Sequence, residues 1–187
     1  MNKKLSAGLL QIVLSILLSH YVFSEDAKQT PKYYLNGHTY ELSEQKKNWH
    51  MAKRDAEKRD GHLVVINSPE EQKLLQKILE DAKNRENFCE AVWIGFSDEK
   101  EEGKWEWVNG DKVEFTYWQR NQPSNANGVT PENYAVIWQP IDNAAEKGQW
   151  NDLAGDCQAR YLVEYDREIG GGTGSKKNAN SNLRSTR

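Results

Sequence analysis

The stretch Ala91-Val92-Trp93-Ile94-Gly95-Phe96-Ser97-Asp98-Glu99-Lys100-Glu101-Glu102-Gly103-Lys104-Trp105-Glu106-Trp107-Val108 holds two unlike strands on either side of an acidic turn. Its first six residues are apolar or small without a break, the pattern of a buried strand. Trp105-Glu106-Trp107-Val108 alternates instead, as a half-buried strand does, and Asn109-Gly110-Asp111 closes it. The run Asp98-Glu99-Lys100-Glu101-Glu102 between them reads as a solvated turn.

Downstream the texture is the same, with short strands at Tyr134–Trp138, Gly148–Trp150 and Tyr161–Tyr165. The chain is loop between Trp118 and Tyr134 and between Pro140 and Lys147, and loops this long in a compact domain are usually functional. Upstream it is different. Tyr33–Leu42 reads as a hairpin turning at Asn36-Gly37. A helix follows, with Asn48 as cap, Trp49, Ala52 and Ala56 on one apolar face, and Gly61 ending it. Leu63-Val64-Val65-Ile66 is a short apolar strand. Ser68, Pro69 and Glu71 then spell a capping box for a second helix, whose Leu74, Leu75, Ile78, Leu79 and Ala82 should pack on the sheet. Two helices followed by a strand-rich, loop-rich half make an α+β domain. Trp93, Trp105, Trp107 and Trp150 belong to its core by their places in strands, whereas Trp138 is open.

The ends have their own signatures. Lys3 and Lys4, the apolar run from Leu9 to Leu18, and Val22-Phe23-Ser24 predict a secretory signal peptide over residues 1–24, with an uncleaved anchor as the alternative. The domain then spans residues 30–166, and residues 167–187 form a Gly/Ser/Asn-rich basic tail that reads as flexible. The formal charge of −3 for the chain hides an acidic domain: from Glu25 to Asp166 there are 18 Lys and Arg against 27 Asp and Glu, or −9. That sign speaks against nucleic acid and suits neutral ligands or ligands held through a cation. Two cysteines, Cys89 and Cys157, build no disulfide framework; they pair with each other or stand as small buried residues.

Three segments carry the chemistry: Gln122-Pro123-Ser124, Glu132-Asn133 and Trp150-Asn151-Asp152. Each offers oxygen-bearing side chains from a loop or strand end, and calcium takes about 6–8 oxygens from such groups. Pro123 fixes the backbone between Gln122 and Ser124, so both can face one centre. His38, His50 and His62 are scattered without metal-ligand spacing, and no nucleophile or phosphate-loop motif is present. Glu132 and Asp152 as a carboxylate pair on a glycosidic bond would be neutralised by a cation between them, so the chain reads as a binding protein, not an enzyme.

In this order the residues resemble a C-type lectin-like domain along nearly all of the mature part. The resemblance rests on Trp49-x-x-Ala52, Gly61-His62-Leu63-Val64-x-Ile66 and Glu71. It continues through Trp93-Ile94-Gly95-Phe96, Ser97-Asp98, Glu102-Gly103-x-Trp105-x-Trp107 and Tyr117-Trp118. Pro123, Glu132-Asn133-Tyr134, Trp150-Asn151-Asp152 and Val163-Glu164 complete it. It implies two helices flanking short antiparallel sheets with a long functional loop region. It further implies one calcium ion held by Gln122, Ser124, Glu132, Asn151 and Asp152, with a backbone carbonyl from Asp152. The same side chains would bind a sugar whose adjacent hydroxyls ligate the ion. An auxiliary calcium site would use Asp98, Glu102, Asn125, Glu132 and Asn133.

The departures matter as well. The family's first disulfide would fall at Ala56 and Val163, and its second would begin at Tyr134; such a disulfide-poor pattern resembles bacterial members and suggests export from a bacterium. Gln122-Pro123-Ser124 matches neither the mannose-type Glu-Pro-Asn nor the galactose-type Gln-Pro-Asp loop, and no aromatic ring follows in Asn125–Thr130. Only Glu132 and Asp152 bring charge, which predicts weak calcium binding. The resemblance thus implies a secreted protein with a glycan partner. The alternative is a calcium-independent lectin-like domain that binds a protein or serves a structural role.

Overall fold

The computed structural model describes residues 30–83, 91–125, 130–138 and 148–167. The leader, nearly all of the tail, Cys89 and the Pro140 loop lie outside them. Strand β1 (Lys32–Leu35) and strand β2 (His38–Leu42) form the expected hairpin. Asn36 and Gly37 at its tip have φ of 52° and 88°, the two positive values that a tight two-residue turn requires.

Helix α1 (Trp49–Lys58) begins at Asn48, whose side-chain oxygen accepts the Met51 N–H at 2.8 Å. Its other end differs from expectation. The left-handed residue is Asp60, with φ 57°, and the Asp60 and Gly61 N–H groups close back on the Glu57 and Ala56 carbonyls at 3.1 Å each. Gly61 is required for a different reason: a Cβ there would stand 2.6 Å from the Glu164 carbonyl oxygen, so only glycine lets the chain pass that close to the last strand.

Strand β3 is just His62–Leu63. Val64, Val65 and Ile66 are buried as predicted but leave the regular ladder. The Val64 carbonyl accepts from Gly95 at 2.8 Å, and the Val65 N–H goes to the Glu164 carboxylate at 3.0 Å. Helix α2 (Pro69–Lys83) has its predicted cap, with Ser68 Oγ accepting the Glu71 N–H at 3.2 Å and the Glu71 carboxylate holding the Asn67 N–H at 2.8 Å. Leu75, Ile78, Leu79 and Ala82 all face the core.

The remaining strands are β4 (Ala91–Ser97), β5 (Glu106–Trp107), β6 (Tyr134–Trp138), β7 (Trp150–Leu153) and β8 (Arg160–Tyr165). They assemble in the order β1-β2-β8-β4-β6-β7, with β3 on β8 and β5 on β4. All pairs are antiparallel except β4 with β8, where Val92 faces Arg160 and Trp93 faces Tyr161. The sheet is therefore mixed: β2 sets the direction of β8, and that direction happens to match β4. One apolar cluster lies under α2 around Leu75, Phe96, Trp107 and Trp150, and a second lies under α1 around Trp49, Trp93, Tyr134 and Val163.

Ala56 and Val163 are both fully buried in the second cluster, so side-chain packing occupies that position without a bridge. Tyr134 also fills space. Its ring centroid lies 4.6 Å from that of Trp49, its hydroxyl meets His50 Nε2 at 3.0 Å, and its ring edge lies where a Cβ on Gly155 would be, 2.3 Å away. Burial, then Glu99 and Asp98, push the Tyr134 hydroxyl up to about 12. Cys157 is free and on the surface, not the small buried residue expected, and the partial cover around its thiol, followed by Asp156 and Glu132, pushes it up.

Candidate functional site

Strand β7 carries Asn151 and Asp152 within its span rather than at its end, and Trp150 anchors it. The buried Trp150 ring donates through Nε1 to Gln72 Oε1 at 2.9 Å, while Gln72 Nε2 donates to the Gly148 carbonyl at 2.8 Å. Gln72 is a buried polar residue on the core face of α2 that sequence reasoning passed over; its position among Leu74, Leu75, Ile78 and Leu79 was the available signal. Trp107, Trp118 and Phe96 crowd around Trp150, and Trp105 packs on Phe96 and Trp118, so the tryptophans form a floor for the loops and not a stacking platform.

On that floor the segment after Trp118 is laid alongside β7. Trp150 donates to the Tyr117 carbonyl and accepts from the Gln119 N–H, each at 2.8 Å. The Gln122–Pro123 peptide is cis. Asp152 is 1% exposed, and its Oδ2 accepts the Ser124 N–H at 2.9 Å and the Asn125 N–H at 2.6 Å. Asn125 clips the loop further: its Oδ1 accepts the Glu132 N–H at 2.8 Å and its Nδ2 donates to the Glu102 carboxylate at 2.9 Å. Asn151 Nδ2 donates to the Asp152 carbonyl at 3.0 Å. The three segments quoted from the sequence are thus joined directly or through Asn125.

What they leave over is a set of acceptors. Gln122 Oε1, Asn151 Oδ1 and Asp152 Oδ1 are all buried without a hydrogen-bond partner. Asn133 Oδ1 and Asp98 Oδ1 are in the same condition, although Asp98 Oδ2 accepts the Gly103 N–H at 2.8 Å and the Asp98 N–H donates to the Asn133 carbonyl at 3.2 Å. A buried acceptor without a donor costs about 1–3 kcal/mol. Oxygens alone, with no N–H or O–H among them, are the donor set of a hard cation, and the residues present fit calcium in this respect. Ser124 enters differently: it is exposed, and its backbone N–H holds Asp152. Glu132 is half-buried beside the clip. In the auxiliary set, Glu102 and Asn125 bond to each other, and Asp98 and Asn133 hold the neighbouring unpartnered oxygens.

The family profile described as Lectin C-type domain matches residues 45–163. The chain belongs to the C-type lectin domain family. It is 32% identical over 133 residues to a hepatic lectin of Gallus gallus, covering 70% of this chain and 56% of that protein. It is 33% identical over 116 residues to a perlucin-like protein of Mytilus galloprovincialis, covering 61% of this chain and 67% of that one. The chain therefore spans little more than half the length of the hen lectin. Among solved structures, the carbohydrate-recognition domain of the mouse scavenger receptor C-type lectin superposes with a TM-score of 0.61 at 30% identity, over 75% of this chain and 97% of that domain. All three come from animals and two are named as lectins, which agrees with a binding protein rather than an enzyme and lends no support to the bacterial likeness. No helix of the described residues is long and apolar enough to cross a membrane.

Proposed function

We propose that this chain is an exported carbohydrate-binding protein that reads a glycan through adjacent hydroxyls on a loop-held calcium ion. The observation that carries this reading is the trio of buried, donor-free oxygens on Gln122, Asn151 and Asp152. Two of them belong to amides, which remain neutral acceptors at any pH, and the third belongs to the charged group that also holds the loop. Asp152 is therefore both ligand and loop anchor, whereas Gln122 and Asn151 supply dipoles. Calcium, when bound, supplies a centre that neighbouring sugar hydroxyls can ligate in place of water. Glu132 would add the second charge. The absence of a carboxylate at Ser124 sets the affinity toward the weak end, with Kd of about 10⁻⁴–10⁻³ M. The basic tail and the leader belong to this reading as parts of an exported chain.

The test is a glycan array run with the full chain in calcium and again in a chelator. Retention of a subset of glycans in calcium, lost in chelator and lost in Asp152→Asn, is the expected result. Retention that ignores the chelator would move recognition away from the ion. No retention together with capture of a protein partner would favour the calcium-independent alternative.

A further inference from the structure

Where β8 runs between β2 and β3, acids meet bases directly: His38 Nδ1 is 2.9 Å from Glu164 Oε1 and His62 Nε2 is 3.2 Å from Asp166 Oδ1. Around the calcium loops the acids are met by N–H groups instead. Asp98 Oδ2 takes the Gly103 N–H at 2.8 Å, Asp152 Oδ2 takes two loop N–H groups, and Glu102 Oε2 takes the Asn125 amide at 2.9 Å.

Asn125 is common to most of these bonds. Its backbone N–H goes to Asp152 on β7, its Oδ1 accepts the Glu132 N–H ahead of β6, and its Nδ2 donates to Glu102 in the turn after β4. One residue thus ties partners that lie 27, 7 and 23 residues away from it. Its φ of 48° is in the left-handed region, which asparagine enters more readily than most residues with a side chain.

The amide fits only one way round. The Glu132 N–H can only donate and the ionised Glu102 carboxylate can only accept, so the amide oxygen faces the first and the amide nitrogen the second. A cation placed between Glu102 and Asn125 would meet that NH₂ group, and turning the amide to offer its oxygen would break both bonds. The auxiliary set implied by the family resemblance therefore loses Asn125 and the Glu102 oxygen bonded to it. What remains beside Glu132 is one unpartnered oxygen each on Asp98 and Asn133, a thin set for an ion that takes about 6–8 oxygens.

We propose that Asn125 is a positioning residue that does by hydrogen bonding what a second cation would do by charge. It draws Glu102, the Glu132 backbone and Asp152 together and sets the loop before calcium binds. The chain then takes one calcium ion, at Gln122, Asn151 and Asp152, and not two. The ion count rests on the calcium reading above; the preset loop does not.

Amide hydrogen exchange, followed by NMR on the chelator-treated full chain, reads the loop without any ion. The Ser124 and Glu132 N–H groups should be protected in the wild type. Asn125→Ala should speed their exchange about tenfold, as expected for losing a bond to a charged group. Asn125→Asp keeps an oxygen for the Glu132 N–H but sets a carboxylate against Glu102, and it should speed exchange similarly. Adding Glu102→Gln to Asn125→Asp swaps donor and acceptor across that contact and should restore protection. Both positions are exposed, so circular dichroism should be unchanged throughout. Calcium titration should be one-site in the wild type and steeper in Asn125→Asp, where two facing carboxylates attract a second ion. Loop amides that are unprotected until calcium is added would overturn the proposal. So would unchanged exchange in Asn125→Ala, a double variant as fast as Asn125→Asp, or two ions in the wild type. A chain that ignores calcium would sink the ion site, while the exchange rates would still decide the role of Asn125.

Discussion

Calcium at 10 mM should stabilise the chain by an amount that the ligand set allows to be calculated. Of the five proposed ligands only Glu132 and Asp152 are charged, and Asp152 alone is fully buried. With Kd of about 10⁻³–10⁻⁴ M for such a site, a ligand that binds only the folded state adds RT ln(1 + [L]/Kd), or about 1.4–2.7 kcal/mol. For a domain of this size that is a rise in Tm of roughly 4–8 °C. Asp152→Asn replaces one buried oxygen by an NH₂ group and removes the charge, yet keeps one oxygen for the Ser124 and Asn125 N–H groups. Each of those bonds weakens by about 1 kcal/mol on losing its charge, which is offset by no longer burying a bare carboxylate. The metal-free variant should therefore melt close to the wild type while its calcium increment falls below about 1 °C. Differential scanning fluorimetry on chelator-treated protein, with magnesium as the control, reads both numbers. Equal increments in the two proteins would place the ion elsewhere, and no increment in the wild type would refute the reasoning altogether.

Three further outcomes follow from the packing. Gly155→Ala forces a methyl to 2.3 Å from the Tyr134 ring, and overpacking of that kind should cost about 1–3 kcal/mol in chemical denaturation; combining it with Tyr134→Leu should recover part of the loss. Gln72→Met leaves the Trp150 N–H and the Gly148 carbonyl without partners, at about 1–3 kcal/mol each, and it should also weaken calcium binding because Trp150 precedes two of the ligands. Asp55 supplies a pH dependence. Burial pushes its carboxyl up, but bonds from Lys47 and from Tyr161, the latter at 2.6 Å, outweigh this and hold it below 3.8. A lowered folded value means stability that is present above 3.8 and lost as pH falls through that lower value. Urea midpoints at pH ~5 and ~3 should therefore diverge less in Asp55→Asn than in the wild type.

What the chain announced in advance were features decided over a few residues. Asn48 and Ser68 cap their helices because a short side chain can reach N–H groups three positions on. Asn36-Gly37 makes its turn from its own backbone preferences. The segments around Gln122, Glu132 and Asp152 stand out in the sequence because such oxygen-bearing residues are unusual together, and the structure joins them through bonds such as Ser124 to Asp152, which spans 28 residues. Features that depend on distant neighbours were not legible. Gly61 reads as a helix stop, yet Asp60 performs that role while Gly61 answers to Glu164. Gly155 looks like any loop glycine until Tyr134 is placed against it. His38 and His62 look scattered because the register that unites them runs through a strand about 100 residues later, as the His62–Asp166 separation of 104 shows.

Strands β1 and β8 lie on either side of β2 and are each antiparallel to it, so they run parallel to one another. The domain's first strand therefore begins at one end of this ribbon and its last strand finishes at the other. A pull applied between the two termini acts along the strands, and it loads the two hydrogen-bonded ladders together instead of opening them one rung at a time. The Thr39 hydroxyl, bonded to the Arg167 carbonyl at 2.8 Å, adds a clasp where the load arrives. Held at both ends, the domain would thus meet tension in the direction its sheet resists best.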